Sequence, residues 1–120
     1  MTDFRPLASA DELTVLIARS HVEPIVIFKH SDSCGSSWMA RAQLVSGDLP
    51  MPVHEIVVQQ SRDLAQDVAA RLRVRHESPQ ALVVAGGAAV WHSSHAGVTA
   101  DRVRQAWTAA AEALTPAPAR

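Results

Sequence analysis

Ile25-Val26-Ile27-Phe28-Lys29-His30-Ser31-Asp32-Ser33-Cys34-Gly35-Ser36-Ser37-Trp38-Met39-Ala40-Arg41 carries an apolar run through a polar loop into a helix start. Residues 25–28 are β-prone and apolar on both faces, which predicts a central strand covered by helices on either side. Upstream, Ser9-Ala10-Asp11-Glu12-Leu13 sets a capping serine three residues before Glu12, and Leu13, Leu16 and Ile17 recur at helical spacing. These signals predict a helix from about residue 10 to 20, ended by Pro24. Downstream, Gly47-Asp48-Leu49-Pro50 breaks the helix that starts at Cys34, and Val53-His54-Glu55-Ile56-Val57-Val58 reads as a second strand. A helix from Arg62 to about Arg73 follows, with Leu64, Val68 and Leu72 at steps of four. Ala81-Leu82-Val83-Val84-Ala85 and Ala88-Ala89-Val90-Trp91-His92 flank Gly86-Gly87, a two-residue hairpin signal. Thr99 caps a last helix from about Ala100 to Leu114, with Val103, Trp107 and Ala110 on one face. Thr115-Pro116-Ala117-Pro118-Ala119-Arg120 is expected to be a disordered tail.

The order is therefore α-β-α-β-α-β-β-α. Strands separated by helices imply parallel pairing and the Gly-Gly hairpin adds an antiparallel pair, so an α/β domain with a mixed four-stranded sheet and helices on both faces is expected. This is the order of elements in a thioredoxin-like domain. At 120 residues, 48% of them hydrophobic, the chain fits one domain, taken as residues 1–114. With 11 basic and 12 acidic residues and no basic cluster, it has no electrostatic footprint for nucleic acid. No stretch has the length of a membrane span, and the polar start Met1-Thr2-Asp3-Phe4-Arg5-Pro6 does not read as a signal peptide, so a cytoplasmic protein is expected. A single cysteine excludes an intramolecular disulfide framework and agrees with a reducing compartment.

Cys34, that one cysteine, stands at the strand-to-helix junction. Helix N-termini carry unpaired N–H groups and a partial positive charge, so a thiolate there is favoured and its pKa falls below about 8.5. A lone cysteine is more often an inert core residue. Ser31, Asp32, Ser33 and Ser36 around it, however, are small polar residues unsuited to a core. In a C-x-x-C motif the second thiol would stand at position 37, which is Ser37. The chain cannot close that disulfide, and a catalytic cycle must take its second sulfur from outside. Ser37 is then either a hydroxyl donor to the thiolate or a first-turn polar residue. His30, four residues upstream, would favour the thiolate if protonated, or else bonds the backbone at a strand end. Lys29, the only lysine, offers positive charge to the carboxylates of a thiol cofactor, with its face of the strand undecided. Trp38, one helical turn beyond the thiol, either shields it or packs in the core. His30, His76, His92 and His95 are irregularly spaced, so no metal site is expected. Pro79 alone reads as a trans proline that starts a strand.

Three motifs taken together, Phe28-Lys29-His30-Ser31 through Cys34 and Ser37, Arg75-His76-Glu77-Ser78-Pro79-Gln80, and Trp91-His92-Ser93-Ser94-His95, resemble the monothiol bacilliredoxin family. The resemblance spans roughly residues 5 to 112. Gly35 departs from it, since the family often has proline after the cysteine. The resemblance implies a thioredoxin-like fold in which Cys34 removes bacillithiol from protein mixed disulfides. Bacillithiol would be a co-substrate, with no tightly bound cofactor, and bacillithiolated client proteins the partners. It further implies a cis Ser78-Pro79 bond facing the cysteine, with the Ser78 backbone free to pair with an extended substrate. Lys29, His30, Gly35, Ser36, Ser37, Ser78 and Pro79 are accordingly the residues expected to bind substrate or cofactor. Two other readings stand beside this one: a non-catalytic thioredoxin-like binding module, and a peroxide sensor whose Cys34 passes through sulfenic acid.

Overall fold

The β-rich run at 25–30 forms the central strand of a mixed sheet, as its two apolar faces predict. The computed structural model describes residues 1–115, in which β1 (Phe4–Pro6), α1 (Ala10–Arg19), β2 (Ile25–His30), α2 (Gly35–Ser46), β3 (Val53–Val57), α3 (Arg62–Leu72), β4 (Gln80–Ala85), β5 (Ala88–Ser94) and α4 (Ala100–Leu114) follow in order. The sheet order is β1-β3-β2-β4-β5. β2 pairs in parallel with β3 and antiparallel with β4, and β5 closes the edge antiparallel to β4. Of the expected disordered tail at 115–120, Thr115 bonds back to Ala111 O as the C-cap of α4 and residues 116–120 lie outside the described residues; no helix among those described is long and apolar enough to cross a membrane.

The sheet has five strands, where the sequence predicts four. β1 is the added one: only three residues long and ending in proline, it has no alternating apolar pattern of its own. Pairing holds it instead, with Phe4 opposite Val53, and Leu7 and Val53 donating to Glu55 O and Asp3 O. An edge position tolerates the missing N–H of Pro6. Arg41 of α2 stacks over the Phe4 ring at 4.2 Å from its centroid, and its Nε donates to Glu55 Oε2 at 2.7 Å.

Helix boundaries follow local chemistry. Ser9 Oγ accepts from Glu12 N, and Thr99 Oγ1 accepts from Arg102 N, so α1 and α4 begin where their caps satisfy first-turn donors. Gly86 and Gly87 turn the β4–β5 hairpin with φ of +63° and +81°, which a residue bearing Cβ adopts only at a cost. Gly47 lets α2 and α4 approach closely, since a Cβ there would lie 2.0 Å from Ala100 Cβ.

Every side chain of β2 and β4 is buried, as expected of inner strands covered on both faces. Val26, Phe28, Ala81 and Val83 pack under α2 and α4 with Ala40, Leu44 and Val103. Ile25, Ile27, Leu82 and Val84 pack on the opposite face under α1 and α3 with Leu13, Leu16, Leu64 and Val68. This alternation decides which way Lys29 and His30 point.

Candidate active site

The strand-to-helix junction is formed by a short turn that ends β2 and delivers Cys34 as the residue capping α2, in extended conformation (φ −117°, ψ 119°). The helix has no acidic residue in its first turn and no side-chain cap, so its first donors are left for another acceptor. Cys34 Sγ stands beside them. It lies 3.0 Å from Ser36 Oγ and is only partly buried. The thiol pKa is held below its ordinary value, first by the Ser36 hydroxyl, then by the backbone N–H of Ser37, with smaller help from the Ser36 N–H and Ser37 hydroxyl. Hydrogen bonds to the charged form favour that form. Gly35, the first helical residue, has no positive φ, and a Cβ built on it meets nothing within 4 Å.

Ser37 is fully buried, and its Oγ accepts from Ser31 N at 3.2 Å, tying the helix to the turn before it. The hydroxyl nearest the sulfur is thus that of Ser36. Trp38 is half exposed and braces the same turn, its Nε1 donating to Asp32 O at 2.8 Å.

His30 shares the face of Phe28 and is buried at 2% exposure. Its ring meets that of Trp38 edge-on at 4.4 Å between centroids. Nε2 lies 3.2 Å from Asp32 Oδ1 but out of hydrogen-bond alignment, and Nδ1 has no partner among the described residues. His30 is not among the groups that lower the thiol pKa, and its ring packs beneath Trp38.

Lys29 turns to the other face, that of Ile25 and Ile27, and is fully buried. Its Nζ donates to His76 Nδ1 at 3.2 Å, which places the His76 proton on Nε2. Burial lowers the Lys29 pKa to about 8, and burial followed by the Lys29 charge lowers that of His76. The amine therefore ties β2 to the 75–78 loop and presents no charge to solvent, against its expected use for a cofactor carboxylate. The sequence leaves its face open because a lysine near a strand end reads as a solvent-seeking head group.

That loop leads into Ser78-Pro79, whose peptide bond is cis. Pro79 is buried and Ser78 partly so. Since Lys29 pairs with Gln80, the register sets Pro79 opposite His30, at the end of β2 from which the Cys34 turn departs. Pro79 O accepts from His95 N at 3.1 Å, and His95 begins the 3-10 turn 95–97 after β5. The same histidine shares a cavity with Ser36, Met39 and Val98. The start of α2, the 95–97 turn and Pro79 thus meet at one end of the sheet. Glu77, beside Ser78, accepts from Ser94 Oγ, which holds its carboxyl below the ordinary range.

Gln59 is a site residue that sequence reading missed. Its side chain, from the loop after β3, bonds Ser31, Asp32 and Ser33 together. Only the tertiary crossing from β2 to β3 brings it there, and nothing in Val57-Val58-Gln59-Gln60 signals it.

The family model for monothiol bacilliredoxin BrxC matches residues 5–103. Among solved structures, the chain is similar to one provisionally described as an oxidoreductase with a thioredoxin fold, at 32% identity over 86% of this chain and 92% of that one, with a TM-score of 0.74. A mutant thioredoxin from Halobacterium salinarum NRC-1 matches at 18% identity over 97% of this chain and 95% of its own, TM-score 0.69. Thioredoxin from Fasciola hepatica matches at 22% over 88% and 98%, TM-score 0.64. These last two show the fold alone, which is the thioredoxin-like fold that the element order predicts.

Proposed function

The chain belongs to the monothiol bacilliredoxin family, a family of thiol redox proteins, and we propose on that premise that Cys34 removes bacillithiol from protein mixed disulfides. The observation that carries this reading is the seat of Cys34 Sγ, 3.0 Å from the Ser36 hydroxyl at the uncapped start of α2, with serine at position 37. A thiolate stabilised there is ready to attack at neutral pH and has no neighbouring thiol to resolve it.

In the first step the Cys34 thiolate attacks the bacillithiol sulfur of a client's mixed disulfide. The bond between bacillithiol and client breaks, the client leaves as its thiolate, and a Cys34–bacillithiol disulfide forms. In the second, the thiolate of free bacillithiol attacks the bacillithiol sulfur on Cys34. Bacillithiol disulfide leaves and the Cys34 thiolate is restored, so one free bacillithiol supplies the reducing equivalent and the bacillithiol from the client ends as the other half of the disulfide. Ser36 and the first N–H groups of α2 hold the negative charge in the resting state and again as Cys34 departs. Ser78 and Pro79, joined to this end of the sheet through His95, supply backbone for an extended client segment. A reducing compartment such as the cytoplasm suits a cycle of this kind.

The test is the rate at which a client carrying a bacillithiol mixed disulfide is returned to its free thiol, beside the same client carrying glutathione. Faster reduction of the bacillithiol form, abolished by Cys34→Ser, is expected. Equal rates would remove the bacillithiol preference, and full activity in Cys34→Ser would remove the mechanism. Client binding with no turnover, unchanged in Cys34→Ser, would favour the binding-module reading.

A further inference from the structure

The turn that delivers Cys34 has few bonds of its own: Cys34 N reaches Ser31 O at 3.3 Å and the Ser31 and Ser33 hydroxyls meet only at 3.5 Å, and the shorter contacts come from outside it. From the helix side, Ser37 Oγ takes Ser31 N and Trp38 Nε1 takes Asp32 O. On the opposite flank one side chain engages all three residues ahead of the cysteine. Gln59 Oε1 accepts from Asp32 N at 3.1 Å, and Gln59 Nε2 donates to Ser31 Oγ at 2.7 Å and to Ser33 Oγ at 2.9 Å. A primary amide has two N–H donors and a carbonyl acceptor, so this arrangement uses both ends of the group. Gln59 is itself held in place, because Val58 N donates to His30 O and Gln60 N to Val57 O on either side of it.

We propose that Gln59 is a positioning residue for Cys34: its amide clamps the 31–33 turn so that Sγ is seated on the Ser36 hydroxyl and the first N–H groups of α2. The inference rests on the reading of Cys34 as the reacting thiol. A displacement of the turn by a fraction of an ångström lengthens the Sγ–Oγ contact, and hydrogen bonds weaken steeply with misalignment. Neither of the turn's other anchors replaces the clamp, since Ser37 and Trp38 bond only backbone at Ser31 and Asp32, and Ser33 is otherwise met only by the Ser31 hydroxyl at 3.5 Å.

The discriminating variant is Gln59→Met, which keeps the length of the side chain and removes its amide. The measurement is the pH profile of Cys34 alkylation by iodoacetamide, read by intact mass, alongside the melting temperature. The groups ionisable near Cys34, His30 and Asp32 on β2 and the turn and His95 after β5, are unchanged by the substitution. In Gln59→Met the midpoint moves up toward that of a free thiol and the rate at pH 7 falls about threefold or more, as the thiolate fraction shrinks. Gln59 is exposed, so the melting temperature changes little. Gln59→Ala repeats the shift, and adding Ser33→Ala to Gln59→Met moves the midpoint little further, because only the long 3.5 Å contact between the Ser31 and Ser33 hydroxyls is left for it to remove. A lowered wild-type midpoint that Gln59→Met leaves in place would overturn the role of Gln59 alone. A wild-type midpoint at the free-thiol value would overturn both this inference and the reading of Cys34.

Discussion

Replacing Lys29 with methionine makes the protein more stable at neutral pH and abolishes its gain in stability at alkaline pH. The side chain is fully buried on the face of Ile25 and Ile27, and burial lowers its pKa from the ordinary 10.5 to about 8. Below pH 8 both the folded and the unfolded chain carry the ammonium, and the folded state bears the whole cost of enclosing it. Between about 8 and 10.5 the folded amine is neutral while the unfolded one keeps its proton. The unfolded state then binds more protons, and stability rises with pH. The full difference is about 3 kcal/mol, of which about 2 kcal/mol falls between pH 8 and pH 10. Lys29→Met recovers the whole of it at pH 7 and loses about 1 kcal/mol with the bond to His76, for a net gain of about 2 kcal/mol. The chain suits this experiment because it has no tyrosine and no other lysine, and Cys34→Ser removes the one thiol that would titrate nearby. Urea unfolding of Cys34→Ser and Cys34→Ser/Lys29→Met at pH 7, 8, 9 and 10 reads both effects. A flat profile in the lysine protein, or a methionine protein no more stable at pH 7, would refute the argument that Lys29 is enclosed as a costly charge.

Other outcomes follow from single contacts. Ser36→Ala removes the first cause of the low Cys34 pKa, so the midpoint of Cys34 alkylation against pH moves up, whereas Ser37→Ala, at a hydroxyl that mainly ties down Ser31, shows its larger effect in the melting temperature. Gly35→Pro is tolerated at the first helical position, behind a Cys34 already extended, and raises stability by about 0.4–1 kcal/mol in thermal or urea unfolding. Gly47→Ala drives a methyl into Ala100 and costs about 1–3 kcal/mol by the same assay.

Most of the framework is legible in the chain because it rests on local signals. The caps at Ser9 and Thr99, the period of Leu64, Val68 and Leu72, and the Gly86-Gly87 turn each act within a few residues and appear where they are read. β1 is not legible, because three residues ending in proline become a strand only when β3 lies beside them. The site divides in the same way. That Cys34 caps a helix is written locally in the passage from an apolar run to small polar residues. What surrounds the sulfur depends on directions that spacing leaves open. Strand alternation sends Lys29 and His30 to opposite faces, where Lys29 is enclosed against His76 and His30 lies beneath Trp38, and neither is among the causes of the low Cys34 pKa. The choice between Ser36 and Ser37 is one of helical phase, since a step of one residue turns a side chain by about 100° about the axis, here from the sulfur into the core. Gln59 reaches the turn across a strand crossing and leaves no trace in its own neighbourhood of sequence.

The measurement that tests the central claim most directly is the intact mass of both partners after a brief incubation of the protein with a bacillithiolated client in the absence of free bacillithiol. The account predicts that the client loses the mass of one bacillithiol, that Cys34 gains it, and that Cys34→Ser gains nothing. A client that returns to its free thiol while Cys34 stays unmodified, or that keeps its bacillithiol throughout, would contradict it.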